Sequence, residues 1–186
     1  MKRLTAAAIL VVLSAVTAFG AIQDFSSKLT AITGTRESFV ARHSHRNPRG
    51  NVDSFRDNNG NTRLILAAVY GNTREVRELI EAGADINIRN KYGMSALMYA
   101  SERNNADVIR ILLRNGANIN ARNHEGSTSL IIAAIHGCEE SANILMDAGA
   151  NVRVRNNDGM RALDYARRNE HLRGTHVLRR LERRSR

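Results

Sequence analysis

The chain has 186 residues, enough for one domain with a sizeable core. Hydrophobic residues make up 42% but aromatics only 4%, with no Trp, so a core of Leu, Ile, Val and Ala is expected, which suits close-packed helices better than a sandwich or barrel. The formal charge of +10 admits acidic proteins, anionic surfaces or nucleic acid as partners, but net charge speaks to association and not to fold.

The amino terminus opens with the positive residues Met1-Lys2-Arg3. An apolar run from Leu4 to Phe19 follows, broken only by Thr5, Ser14 and Thr17, and then the small residues of Ala18-Phe19-Gly20-Ala21. Charge, apolar run and small-residue site in that order predict a secretory signal peptide over residues 1–20, cleaved after Gly20 or after Ala18. The alternative is an uncleaved anchor, for which the run is near the lower length limit of a membrane-spanning helix. Removal of Lys2 and Arg3 leaves a mature chain of formal charge +8, with no other run long and apolar enough to span a bilayer. The expected location is periplasmic or secreted.

Residues 21–56 carry weaker signals. Phe25, Leu29 and Ile32 are spaced as one helical face, and Phe39 and Val40 suit a second helix. The one proline of the chain, Pro48, falls in a polar stretch. Two readings stand side by side: a degenerate amino-terminal capping repeat, or a linker around His43–Gly50.

From residue 57 a period of 33 governs the chain. Gly60, Gly93, Gly126 and Gly159 keep that step, as do Leu64, Leu97, Leu130 and Leu163, and Ala67, Ala100, Ala133 and Ala166. The pairs Gly83-Ala84, Gly116-Ala117 and Gly149-Ala150 repeat with it, and so do Arg56, Arg89, Arg122 and Arg155. Self-similarity at such a period is the mark of a stacked repeat architecture, here with units 57–89, 90–122, 123–155 and 156–186.

Each unit reads the same way. A polar run such as Asp57-Asn58-Asn59-Gly60 predicts a turn. Thr62, Ser95 and Thr128 then stand as helix N-caps, and a short helix runs through Leu64 to Ala68 and its copies. Gly71, Gly137 and, in the second unit, Asn104 break the chain between helices. A second helix presents Val76, Leu79 and Ile80, matched by Ile109, Leu112 and Leu113 and by Ala142, Leu145 and Met146, as one apolar face. Gly83, Gly116 and Gly149 end it in a left-handed cap. Cys138 is the single cysteine; it excludes an intramolecular disulfide and reads as a small, partly buried helix residue.

The fourth unit departs from the pattern. Arg161 replaces the capping hydroxyl, and residues 172–176 shift the second helix. Leu178 and Leu181, with Val177 beside them, are expected to form its buried face. Arg173, Arg179, Arg180, Arg183, Arg184 and Arg186 are expected to face water, as a terminal unit requires.

This 33-residue pattern resembles the ankyrin repeat, and Gly83-Ala84-Asp85-Ile86-Asn87 is nearly that family's Gly-Ala-Asp-Val-Asn. The family's Thr-Pro-Leu-His signature is degraded: the copies read Thr62-Arg63-Leu64-Ile65, Ser95-Ala96-Leu97-Met98, Thr128-Ser129-Leu130-Ile131 and Arg161-Ala162-Leu163-Asp164. The lost proline removes a favourable first-turn residue, and the lost histidine a side chain that commonly ties adjacent turns. The resemblance implies an all-α solenoid of stacked helix–turn–helix units with short β-turn fingers. Its implied function is a monomeric, non-enzymatic scaffold for a partner protein, with neither cofactor nor nucleic acid.

No nucleophile elbow, phosphate loop, dinucleotide fingerprint or zinc-protease motif occurs, so no catalytic, cofactor-binding or metal-binding residue is expected. The Arg56, Arg89, Arg122 and Arg155 ladder suits either an anionic partner or a turn carbonyl, the structural reading being favoured. The resemblance places partner contacts at the turn tips and the ends of the first helices, on a concave face. Mapped here, these are Val69, Tyr70, Lys91, Tyr92, Met94, Glu102, Arg103, His124, Glu125, Ile135, His136, Asp158 and Met160. Tyr70, Tyr92 and Ile135 are expected to lie near one another. The alternative function is a basic module holding an anionic polymer or envelope surface.

Overall fold

The computed structural model describes residues 52–185. The expected signal peptide and most of residues 21–56 lie outside the described residues.

Hydroxyl side chains start the first helix of three units. Thr62 Oγ1 accepts the Ile65 N–H at 3.2 Å, Ser95 Oγ that of Met98 at 3.4 Å and Thr128 Oγ1 that of Ile131 at 3.5 Å. Each relieves one of the N–H groups that a helix start leaves unpaired. In the fourth unit the bond runs the other way: the Asp164 carboxylate accepts the Arg161 N–H at 2.9 Å. The resulting first helices are α1 (Arg63–Tyr70), α3 (Ala96–Glu102), α5 (Ser129–His136) and α7 (Ala162–Arg168). The second helices are α2 (Thr73–Glu81), α4 (Ala106–Arg114), α6 (Glu139–Asp147) and α8 (His176–Ser185).

The reversal between the helices of a pair needs a left-handed residue. Gly71 and Gly137 supply it at φ +68° and +72°, and Asn104 at φ +55°. Asn104 is more than a stand-in for glycine. Its Oδ1 accepts from both the N–H and the hydroxyl of Ser141 in the next unit, at 3.0 and 2.9 Å. Asparagine tolerates this conformation better than other side chains.

The first helices pack in a row, α1 on α3 on α5 on α7, and each second helix packs on its own first helix and on its neighbours in a parallel row. The core between the rows is a continuous apolar strip. It runs from Leu64 and Val76 through Leu97, Ile109 and Leu112, then Leu130, Leu145 and Met146, to Leu163, Leu172, Val177 and Leu181. Ala67, Ala100, Ala133 and Ala166 are fully or almost fully buried, and their small side chains let the first helices approach closely. The one isolated β-bridge among the described residues joins Arg89 and Ser95.

The fourth unit corrects two expectations. Leu172 and Val177, with Leu181, are the fully buried residues, and Leu178 is only half-buried. Arg180 does not face water freely. It donates to Asn143 Oδ1 at 2.7 Å and pairs with Asp147, while Arg184 donates to the Met146 carbonyl at 2.6 Å. These arginines tie α8 back to α6 after the register shift.

Leu112 is fully buried between units. Leu112→Ala is expected to cost roughly 2–5 kcal/mol of folding stability through the cavity it leaves. Leu113→Ala, at a half-buried position of the same helix, costs clearly less. Chemical denaturation of the two variants beside the parent measures the difference.

Candidate protein-binding face

The turn fingers are built on one residue per unit: Asp57, Asn90, Asn123 and Asn156. Each side-chain oxygen accepts two backbone N–H groups of its own turn. For Asn90 these are Tyr92 at 2.9 Å and Met94 at 3.0 Å; for Asn123, Glu125 at 3.1 Å and Ser127 at 2.8 Å. Asp57 Oδ1 takes Asn59 and Asn61, both at 2.8 Å, and Asn156 takes Asp158 and Met160. This is the asparagine–aspartate turn that mimics a backbone turn.

Backbone bonds join each finger to the next: Lys91 N–H to Asn59 C=O at 3.0 Å, His124 to Tyr92 at 3.1 Å, and Asn157 to Glu125 at 2.9 Å. Side chains reinforce them. Lys91 Nζ reaches the Asn58 carbonyl at 2.9 Å and Asn157 Nδ2 that of His124 at 2.9 Å. Glycine is required here by close approach, since a Cβ on Gly93 would meet the His124 backbone nitrogen at 2.9 Å. In two units a tyrosine braces the turn-former of its own finger: the Tyr99 hydroxyl accepts Asn90 Nδ2 at 3.0 Å, and Tyr165 accepts Asn156 Nδ2 at 2.8 Å.

The arginine ladder is structural. Arg89 Nη1 donates to the Arg122 carbonyl at 3.0 Å and Arg122 Nη2 to the Arg155 carbonyl at 2.9 Å. Arg155 turns to Gly159 C=O at 2.6 Å and Arg56 to Phe55 C=O at 2.9 Å. Cys138 is likewise structural: it is buried, its Sγ meets the Glu102 carbonyl at 3.3 Å, and burial pushes its thiol pKa up, away from the reactive thiolate.

Of the expected contact residues, Lys91, Tyr92, His124, Glu125 and Asp158 are exposed on the fingers. Tyr70, Arg103, Ile135 and His136 are exposed at the ends of first helices, beside half-buried Val69 and Glu102. Arg103 and Glu102 form an ion pair at 3.7 Å. Met160 is half-buried. Met94 is a correction: it is buried against Met98 and Ile132, and its sulfur accepts from Asn123 Nδ2 at 3.5 Å, so it offers no surface. Tyr70, Tyr92 and Ile135 also do not form one cluster. Tyr92 stands on a finger, whereas Tyr70 and Ile135 end α1 and α5, with α3 between them. At the usual spacing of packed helices that is about 20 Å.

The signal for the missed tyrosine ties and finger residues was present in Arg56-Asp57, Arg89-Asn90, Arg122-Asn123 and Arg155-Asn156, where the residue after each ladder arginine is the turn-former. Among the described residues no group of three or more His, Cys, Asp or Glu is placed to hold a metal ion, and no helix is long and apolar enough to cross a membrane.

Asp57 is the one charged member of the finger set. Partial burial pushes its carboxyl up, but hydrogen bonds from Asn61, Asn59 and Gly60 outweigh this and hold it below the usual carboxylate range. A lowered folded pKa stabilises the fold above the unfolded value, and that contribution is lost as pH falls through the folded value. Asp57→Asn, the residue of the other three units, is therefore expected to fold and to lose less stability between neutral pH and pH 3 than the parent. Urea midpoints at both pH values test this; equal losses would contradict it.

Two profiles of ankyrin repeats match the chain, one of three copies over residues 37–123 and one of many copies over residues 130–179. No curated protein matches it. The matched residues span well over half of the sequence, the fold is all-α and repetitive, and the fingers, paired helices and left-handed caps recur every 33 residues: the chain belongs to the ankyrin-repeat family, whose members are generally protein–protein interaction scaffolds.

Proposed function

We propose that this chain is a non-enzymatic scaffold, exported from the cytoplasm as a monomer, that holds a partner protein on the concave face made by its fingers and first helices. One observation carries the reading. Among the described residues the large apolar side chains left exposed are Tyr70 at 46%, Tyr92 at 56% and Ile135 at 39%, and all three lie on fingers or first-helix ends. Neither the outer faces of the second helices nor the loops that follow them carry one. Exposed tyrosine and isoleucine on a fold able to bury them favour a protein interface.

Their separation implies a broad partner surface that engages fingers and helix ends together. Export rests on Lys2-Arg3, the Leu4–Phe19 run and the small residues after it. Amino-terminal sequencing of protein recovered outside the cytoplasm is expected to start near Ala21; Met1 intact on soluble cytoplasmic protein rejects export.

For the face itself, Tyr70→Ala, Tyr92→Ala and Ile135→Ala are each expected to weaken capture of the natural partner by roughly 1–3 kcal/mol. Tyr92, on a finger tip, should leave folding stability almost unchanged. Binding by all three folded variants at the parental affinity would defeat the proposal.

A further inference from the structure

Within the described stack the basic charge collects at the carboxy-terminal end. Residues 52–166 carry thirteen arginines and lysines against fourteen carboxylates, whereas residues 167–186 carry eight arginines against two glutamates. Residues 52–166 are thus close to neutral, and the last twenty residues hold a net +6; residues 21–51, with five arginines and lysines against two carboxylates, hold +3. Charge asymmetry of this size within one chain points to an anionic partner for the charged end.

The geometry of α8 sorts these arginines into two sets. Arg180 and Arg184 turn to α6, where Asp147, Asn143 and the Met146 carbonyl hold them. Val177 and Leu181 face the core, and Glu182 pairs with Arg167 of α7 at 3.1 Å. His176, Arg179 and Arg183 are left on the outer side, all exposed, at the i, i+3 and i+7 spacing of a single helix face. Arg173 is exposed in the turn just before. Arg173 and Arg183 have no side-chain partner among the described residues, and Arg179 donates only to the Gly174 carbonyl, at 3.1 Å. Among the described residues no carboxylate pairs with Arg173, Arg179 or Arg183. The equivalent helices differ: α6 exposes Glu139, Glu140 and Asp147, and α2 mixes Arg74 and Arg77 with Glu78 and Glu81.

We infer that the outer face of α8, with Arg173, Arg179 and Arg183, docks the protein on an anionic phospholipid surface. Each guanidinium offers forked donors that match phosphate oxygens. A headgroup plane asks only for cations that share one face, which α8 presents without an exposed large apolar side chain. Single-stranded nucleic acid would call for aromatic stacking platforms, and this face has none. The choice of lipid over duplex nucleic acid rests on the proposed export, which removes the mature chain from the cytoplasm. Docking through α8 leaves the fingers and first helices of the stack open for the protein partner.

The test uses the full chain and two kinds of vesicle, phosphatidylcholine alone and phosphatidylcholine with phosphatidylglycerol, read by cosedimentation. Any apolar partition of the Leu4–Phe19 run is common to both vesicles, and the ratio of the two partition coefficients removes it. The parent is expected to prefer the anionic vesicles at low salt and to lose that preference as salt rises. A cation near an anionic surface contributes about five-fold in partitioning. The triple variant Arg173→Gln, Arg179→Gln, Arg183→Gln is therefore expected to lose roughly 100-fold in the ratio. The control triple Arg77→Gln, Arg114→Gln, Arg153→Gln removes the same charge from exposed positions of the neutral stack and is expected to keep the ratio within a few-fold. Circular dichroism checks that both triples remain folded. An equal loss in both triples, or an unchanged ratio in the α8 triple, overturns the inference. So does displacement of the parent from anionic vesicles by duplex DNA at equal phosphate concentration, which would assign the face to nucleic acid. These outcomes do not depend on whether residues 1–20 are cleaved, so they separate this inference from export.

Discussion

Helices of seven to ten residues, the lengths found here, are too short to persist alone in water, because nucleation costs more than so few hydrogen bonds return. Every described helix therefore depends on burying its apolar side against neighbouring helices. The structure meets that need with a strip of Leu, Ile, Val and Met between two rows of helices and with alanines where first helices touch. Stability of such a stack is a sum of unit and nearest-neighbour terms. A fully buried position such as Leu112, in the core strip shared by the units, carries more of it than any surface contact.

Apolar packing brings the units together, and polar ties give the stack its register. The ties run mostly to backbone groups: the finger N–H groups to the carbonyls of the preceding finger, Arg89 and Arg122 to carbonyls one unit ahead, Asn105 to Ala68 C=O at 2.8 Å and Asn169 to Ile135 C=O at 2.8 Å. A backbone acceptor is present whatever side chain the residue bears. The register therefore does not rest on the finger-tip side chains, although the Tyr92 hydroxyl reaches Asn59 Oδ1 at 3.4 Å and Asp158 accepts Asn156 Nδ2 at 3.2 Å, and Asn59, Tyr92, Glu125 and Asp158 can differ at equivalent positions. This separation between scaffold and tip is what lets one fold carry a recognition surface that varies from unit to unit.

Much of this was legible in the sequence, because the features that set the fold recur. Repetition exposed the leucine and alanine positions, the capping hydroxyls, the left-handed glycines and the replacement of one of them by Asn104. Single-unit features were harder. Met94 and Met160 occupy the same place in the repeat, yet Met94 is buried under a neighbouring turn and Met160 only half-buried. The difference lies in the neighbours: Met94 packs against Met98 and Ile132, while Met160 belongs to the last unit and is covered from one side only. Arg180 was misplaced for a related reason. The insertion-like turn at residues 170–175 changes which face of α8 meets α6, and a rotation of that kind leaves no periodic trace. The contact surface was legible as positions, but whether a side chain there is free or enclosed depends on packing across units.

Among the described residues the fourth unit has one neighbour instead of two, and this relaxes what its sequence must do. The fourth unit could lose its capping hydroxyl because Asp164 satisfies the same helix start from the opposite direction. It could shift the register of its second helix because no later helix has to pack on it among the described residues. Thr175 restores a cap in the new frame, its hydroxyl oxygen accepting the Leu178 N–H at 3.4 Å. The same freedom explains where the charge collects. An interior second helix shares its flanks with helices on both sides, and a run of unpaired arginines there would face its own copies in the neighbouring units. At the end of the stack, two arginines suffice to hold α8 on α6, and the remaining cations project into open solvent where repulsion between them is screened. The outer face of the last described unit is thus a place where this fold can carry a concentrated charge without loss to the packing on which its short helices depend.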